Sequence, residues 1–240
     1  MLLFHRSMEK TRKVITIDGL AASGKTTIAK MLAERLGFIF FSSGLIYRAV
    51  GYLCLQNSLN PDSESEVVDA LKKSGIELRL SEAGDNLLFL NNLEITAKIF
   101  QPEISEATSR ASKHPQVRNL LFELQRGAFP GKDIVAEGRD MGTVIFPDAD
   151  VKFYITCSTD AVIERRLAQL SKGRKISEEE LNSLKSKMKI EITERDLRDK
   201  NRLTAPAVPA SDAQIVDNSS PHLTETLDRV YSSAIKSLTK

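Results

Sequence analysis

Apolar residues fall along this chain in two kinds of pattern. Short, mostly apolar runs at residues 14–18, 38–41, 134–136, 151–156 and 213–216 predict five core strands. Between them lie longer stretches with the three- and four-residue spacing of helices. The clearest follows Lys25, where Ile28, Met31, Leu32 and Leu36 recur at that spacing until Gly37 stops the helix. Strand, glycine-rich turn, helix, strand is the opening of a parallel α/β sheet. Residues 76–97 read differently: 76–80 alternate with period two, 87–90 are apolar, and 93–96 alternate again. Asn91 and Asn92 supply a two-residue turn between the latter pair, which predicts a small antiparallel unit. Charged residues dominate 172–202.

Composition narrows the class. A chain of 240 residues can form one sizeable core, or one domain carrying insertions. Lys and Arg number 34 against 32 Asp and Glu, a net charge of +2, which argues against a DNA or RNA polymer as partner. A small anion is still admitted, because a few well-placed arginines vanish in such a sum. No apolar run approaches the roughly 18 residues of a membrane span. In residues 1–13 the order of a signal peptide is reversed, with the apolar residues ahead of the basic ones. Cys54 and Cys157 have no metal-type spacing and sit among apolar neighbours, so buried free thiols are expected. These features together predict a cytoplasmic protein without disulfides or structural zinc.

The most specific motif follows the first strand. Gly19, Leu20, Ala21, Ala22, Ser23, Gly24, Lys25 and Thr26 match G-x-x-x-x-G-K-[ST] in full, and Thr27 continues into the helix. Glycines let successive backbone N–H groups curl around a phosphate. Lys25 sets a cation against the β- and γ-phosphates, Thr26 offers a hydroxyl to Mg²⁺, and the helix directs its positive end at the anion. The expected ligand is a purine nucleoside triphosphate with Mg²⁺.

Three further clusters suit a second anion. Ser43, Tyr47 and Arg48 follow the second strand; Ser43 is equally placed to cap the next helix. Glu137, Gly138, Arg139, Asp140, Met141, Gly142 and Thr143 follow a strand end, where ligands sit in open parallel sheets. Arg195, Arg198, Asp199 and Arg202 share one helical face, although Glu191 with Arg195 and Glu194 with Arg198 would also form i, i+4 ion pairs on a solvated helix. Arginines converging from separate segments are what phosphoryl transfer needs, since positioning and charge neutralisation supply most of its catalysis.

With these segments in this order, the chain resembles the bacterial-type cytidylate kinases, nucleoside monophosphate kinases, from about residue 14 to residue 220. The resemblance implies a P-loop three-layer sandwich with a five-stranded parallel core sheet, an acceptor-binding insertion carrying a small antiparallel sheet, and a helical lid. It divides the chain into a core at 14–44, 131–159 and 203–240, an acceptor region at 45–130 and a lid at 160–202. It implies transfer of the γ-phosphoryl group of ATP to CMP or dCMP, with Mg²⁺, in a monomer. Arg48, Arg139 and Arg202 match positions that hold the acceptor phosphate; Ser109, Arg118 and Asp140 match positions that read the base. Arg195 and Asp199 match ribose contacts, while Arg165 and Arg166 open the lid segment and reach toward the transferring group. Cytosine offers an amine donor beside N3 and O2 acceptors, which a carboxylate plus an arginine complement. Uracil would oppose a carbonyl to Asp140, at a cost of about 1–3 kcal/mol. One departure stands out: Ser42 precedes Ser43 and Gly44 where the family has an aspartate.

Other acceptors, such as UMP, AMP or a small metabolite like shikimate, share the phosphate loop. A nucleotide-switched binding module would want Asn-Lys-x-Asp or Asp-x-x-Gly, and neither pattern occurs.

Overall fold

The structure, a computed structural model, describes residues 12–170, 177–220 and 222–239. The expectations for the amino-terminal segment and the lid therefore lie outside the described residues at 1–11 and 171–176.

The five apolar runs form the predicted strands within one or two residues: β1 Val14–Gly19, β2 Ile39–Ser42, then β6 Ile134–Gly138, β7 Val151–Thr156 and β8 Gln214–Asp217. They make one parallel sheet in the order β2-β6-β1-β7-β8. β1 is central and buried along its whole length. Helix α1, Lys25–Leu36, ends at Gly37, whose φ of 68° lets its own N–H and that of Phe38 turn back to the carbonyls of Glu34 and Ala33.

Alternate residues of the strands feed two apolar layers. On one face Ile15, Ile17, Phe153 and Ile155 pack against Ile28 and Leu32 of α1 and Val230 of α8, Leu223–Leu238. On the other, Phe41, Ile134 and Ala136 pack against α2, Ser43–Gln56, and the helices beyond it. Those are α3 Glu64–Lys72, α4 Pro102–Ala111 and α5 Pro115–Arg126. This is the three-layer arrangement expected.

The segment at 76–97 is the expected antiparallel unit: β3 Ile76–Leu80, β4 Asn86–Leu90 and β5 Leu93–Glu94, in that order across the sheet. Asn91 and Asn92 both adopt positive φ, 50° and 65°, as a tight hairpin turn demands. One polar residue docks this sheet on the core. Asn86 is buried, accepts from Ser42 N at 3.1 Å and donates to Phe40 O at 2.7 Å, so it satisfies the outer edge of β2.

α6 Thr159–Leu170 and α7 Glu178–Lys200 pack on each other through Val162, Ile163, Leu167, Met188 and Ile192, a small core of their own. Ser177 caps α7 by accepting from Glu180 N at 3.2 Å. Cys54 is buried as expected, whereas Cys157 is only half-buried; both are free thiols. No helix among the described residues is long and apolar enough to cross a membrane.

Candidate active site

The carboxyl ends of β1, β2 and β6 open onto one region, and the motif residues stand around it. Leaving β1, the chain makes the phosphate loop and enters α1 through Gly24, whose φ of 83° an L side chain rarely adopts. A Cβ on Gly24 would collide with the amide of Asn218, and one on Gly19 with the carbonyl of Ile155. The loop is held from outside as well. Asn218 Nδ2 donates to Ser23 O at 2.8 Å, and Ala21 N donates to Asp196 Oδ1 of α7 at 3.1 Å.

Two cavities of about 320 Å³ each flank the loop. The first contains every residue expected on the acceptor side: Ser43, Tyr47, Arg48, Ser109 and Arg118 from the helices after β2, Arg139 and Asp140 just after β6, Arg195 and Asp199 on α7, and Arg202 just beyond it. The second is lined by Gly24, Thr27, Arg165 and Asn218, on the outer side of the loop. Ala22, Lys25, Thr26 and Arg166 border both. Gly19, Leu20 and Ser23 line neither.

The first cavity grades from a hydrogen-bonding end to a cationic one. Arg118 and Asp140 form an ion pair that is almost fully buried and uses one carboxylate oxygen of Asp140. The Arg118 guanidinium lies 5.1 Å from the ring centre of Tyr47. Ser109 Oγ is buried nearby without a partner. Arg139 Nε donates to Asp199 Oδ2 at 2.9 Å. Arg48 is braced by Ile99 O at 2.9 Å and Ser105 Oγ at 2.8 Å. Arg195 Nε and Arg202 Nη2 are buried with no hydrogen-bond partner, which is costly unless a ligand supplies an acceptor.

Titration reflects this crowding. Burial, then the neighbouring Arg139, pushes Lys25 down to about 7 and Arg195 down to about 10. Burial and other arginines likewise lower Arg48 and Arg202. For Arg139 and Arg118 burial also disfavours the charge, but Asp199 and Asp140 outweigh it and raise both. Burial disfavours the charge on Asp199 too, yet Arg139 and Arg202 keep its carboxyl below the usual range.

Several expectations are redirected. Ser43 does not cap α2: it is the first residue of that helix, and its hydroxyl donates to Glu137 O at 3.0 Å. Arg195 turns inward instead of forming a surface pair with Glu191, and Arg198 faces Glu106 at 3.6 Å instead of Glu194. Arg165 and Arg166 part company. The guanidinium of Arg165 is tied to Asn218 O at 2.7 Å and Ser220 O at 2.6 Å, while Arg166 borders both cavities.

Glu137 is the buried residue that motif reading undervalued. Its carboxylate accepts from Thr26 Oγ1 at 3.0 Å and from Ser42 Oγ at 2.9 Å, tying phosphate loop to acceptor helix. Ser42, which stands where the resemblance implies an aspartate, thus meets a carboxylate instead of supplying one. Asp18, Asp196 and Asn218 were also missed, since a single polar residue in an apolar or charged stretch carries no pattern.

The chain matches known proteins over most of its length. The family model described as cytidylate kinase matches residues 15–236. A cytidylate kinase of Thermotoga neapolitana is 41% identical over 218 residues, 90% of this chain and 94% of its own. One from Oceanobacillus iheyensis is 36% identical over 225 residues, 94% of this chain and 95% of its own. A phosphate loop between two cavities, arginines converging on one of them from separate segments, and similarity over nearly the full length place this chain in the cytidylate kinase family.

Proposed function

We propose that this enzyme transfers the γ-phosphoryl group of ATP to CMP or dCMP, giving ADP and CDP or dCDP. The observation that carries the reading is the meeting of the two cavities at Lys25, Thr26 and Arg166. ATP enters the outer cavity with its phosphates along residues 19–27, and the acceptor fills the inner one. Their phosphates then face each other across Lys25.

An oxygen of the acceptor phosphate attacks the γ-phosphorus as the bond to the ADP oxygen breaks, in line and without a phosphoenzyme. The attacking oxygen is already an anion, so no protein base is required. Arg48, Arg139 and Arg202 hold the acceptor phosphate. Asp140 accepts from the cytosine amine, while Arg118 and Ser109 donate to N3 and O2; Tyr47 supports Arg118 from below. Asp199 and Arg195 bind the ribose. Lys25 and Arg166 spread the charge on the transferring group, and Arg165 seats the outer cavity.

The residues around Thr26 fit Mg²⁺. The Thr26 hydroxyl and the Glu137 carboxylate, 3.0 Å apart, are the hard oxygen donors that this cation prefers alongside substrate phosphates. When bound, Mg²⁺ would offset charge on the β- and γ-phosphates. Residues 45–130 serve as the acceptor-binding region on the core of 14–44, 131–159 and 203–240. Residues 160–202 form the lid, whose closure excludes water as a competing nucleophile.

ADP release measured with CMP, dCMP, UMP, AMP and no acceptor tests the assignment. CMP and dCMP should be turned over, with UMP slower in kcat/KM by about 5–150-fold, the equivalent of one mispaired buried group. Hydrolysis without acceptor should be a small fraction of transfer. AMP as the best acceptor, or hydrolysis indifferent to CMP, would refute the reading.

A further inference from the structure

The central strand carries a carboxylate that the phosphate loop does not use. Asp18, one residue before Gly19, is only 4% exposed. Its Oδ1 accepts from Met141 N at 2.8 Å and its Oδ2 from Gly142 N at 2.7 Å. These N–H groups open the turn over Met141–Ile145, directly after Arg139 and Asp140.

The rest of that turn closes on itself. Val144 N and Ile145 N donate to Asp140 O, and Phe146 N donates to Met141 O. Its leading N–H groups have no acceptor inside the turn, as at any helical start, and Asp18 supplies both acceptors. Packing adds to the hold: a Cβ on Gly142 would lie 2.8 Å from Thr16 Oγ1 and 3.2 Å from Lys152 Cδ, so the turn sits directly on β1 and β7. On the other side Gly138 pairs in register with Asp18 itself. The two-residue span of Arg139 and Asp140 is therefore clamped at both ends against one residue. Burial pushes the Asp18 carboxyl up to about 7, against the pull of the two N–H groups. An uncharged side chain would seat the strand at lower cost.

We infer that Asp18 is a positioning residue for the acceptor. Its carboxylate sets the backbone from which Asp140 reaches the base and Arg139 the phosphate, and it fixes that backbone relative to the phosphate loop. The inference rests on the roles proposed above for Asp140 and Arg139.

The test compares wild type, Asp18→Asn, Gly142→Ala and Asp140→Asn. It measures KM for CMP, KM for ATP, the ratio of kcat/KM for CMP over UMP, and thermal melting. Asp18→Asn turns one acceptor into a donor facing an N–H, and Gly142→Ala lifts the turn without touching any charge. Each should raise KM for CMP about tenfold or more and lower the CMP-over-UMP ratio similarly, with KM for ATP changed less than about twofold. A folded Asp18→Asn that loses only stability or kcat, with KM for CMP and the ratio intact, overturns the inference. If Asp18→Asn does not fold, Gly142→Ala decides by the same criterion. If neither folds, Asp18 is a stability residue and the inference fails. Asp140→Asn separates this from the parent reading: an unchanged CMP-over-UMP ratio there refutes the role of Asp140. A lost ratio there, with Asp18→Asn and Gly142→Ala unaffected, refutes the role of Asp18 alone.

Discussion

Lys25 should take up a proton when ATP binds. In the free enzyme its Nζ donates to Leu20 O at 3.0 Å, while burial, and next Arg139, push it down to about 7. Glu137 and Asp199 offset this only in part. A triphosphate brings several negative charges against the same nitrogen and restores its ordinary affinity for a proton. With the free value near 7, about one-tenth of the lysines are charged at pH 8, so binding draws in about 0.9 proton per site; at pH 6 uptake falls to about 0.1. Calorimetric titration with MgATP at pH 8, in two buffers of different ionisation enthalpy, reads this number directly. Lys25→Arg, which keeps its charge throughout, should abolish the buffer dependence. The sign of the stability effect follows. A lysine with a depressed folded value costs stability below about 7, and that cost disappears as pH rises toward the unfolded value of 10.5. Free enzyme should therefore gain melting temperature across that window from this group, and the ATP complex should not. Heats of binding at pH 8 that do not depend on the buffer would refute the reasoning.

Asp140→Ala leaves Arg118 buried and unpaired, which should cost about 3–5 kcal/mol of unfolding free energy in a denaturant titration. Replacing both residues, Arg118→Met with Asp140→Leu, should recover most of that stability while CMP turnover stays lost. Arg166→Ala should lower kcat by about 100-fold or more with melting little changed, because the residue borders both cavities and makes no hydrogen bond or ion pair among the described residues. Arg165→Ala should instead lower the melting temperature and raise KM for ATP, since its guanidinium is spent on Asn218 O and Ser220 O. Equal kcat losses in the two variants would contradict the division.

The sheet was legible in the sequence because central strands read as mostly apolar runs, and all five runs became strands, although the edge strand β8 is largely exposed. The hairpin at 86–94 was legible because Asn91 and Asn92 tolerate positive φ where most residues do not. The ten residues that motif and resemblance assign to the acceptor line one cavity. What escaped were single polar residues acting across long separations. Asn86 looks like a flaw in an apolar strand until β2 arrives beside it. Asp18 looks like the end of a strand until the turn at 141 descends on it. Helical periodicity put Arg195, Arg198 and Asp199 on one face of α7, but it could not say that Arg195 turns inward while Arg198 faces Glu106. Such choices depend on what lies opposite, and that is a property of the fold, not of the segment.

The same dependence explains how a chain with a net charge of only +2 grips two polyanions. Lys25, Arg48 and Arg195 are each depressed first by burial and next by Arg139. Arg139 itself is paired with the carboxylate of Asp199. Repulsion around a single guanidinium is thus shared by the donor-side lysine, the arginine behind β2 and the arginine on α7. On the roles proposed above, a phosphate placed on Arg139 would screen it from all three at once, so acceptor binding would make Lys25 a better cation for ATP. ATP on Lys25 removes repulsion that weakens the acceptor's grip, and linkage makes the benefit equal in both directions. The balance of charges that argued against a nucleic-acid partner is, at the site, an imbalance that only the pair of substrates corrects.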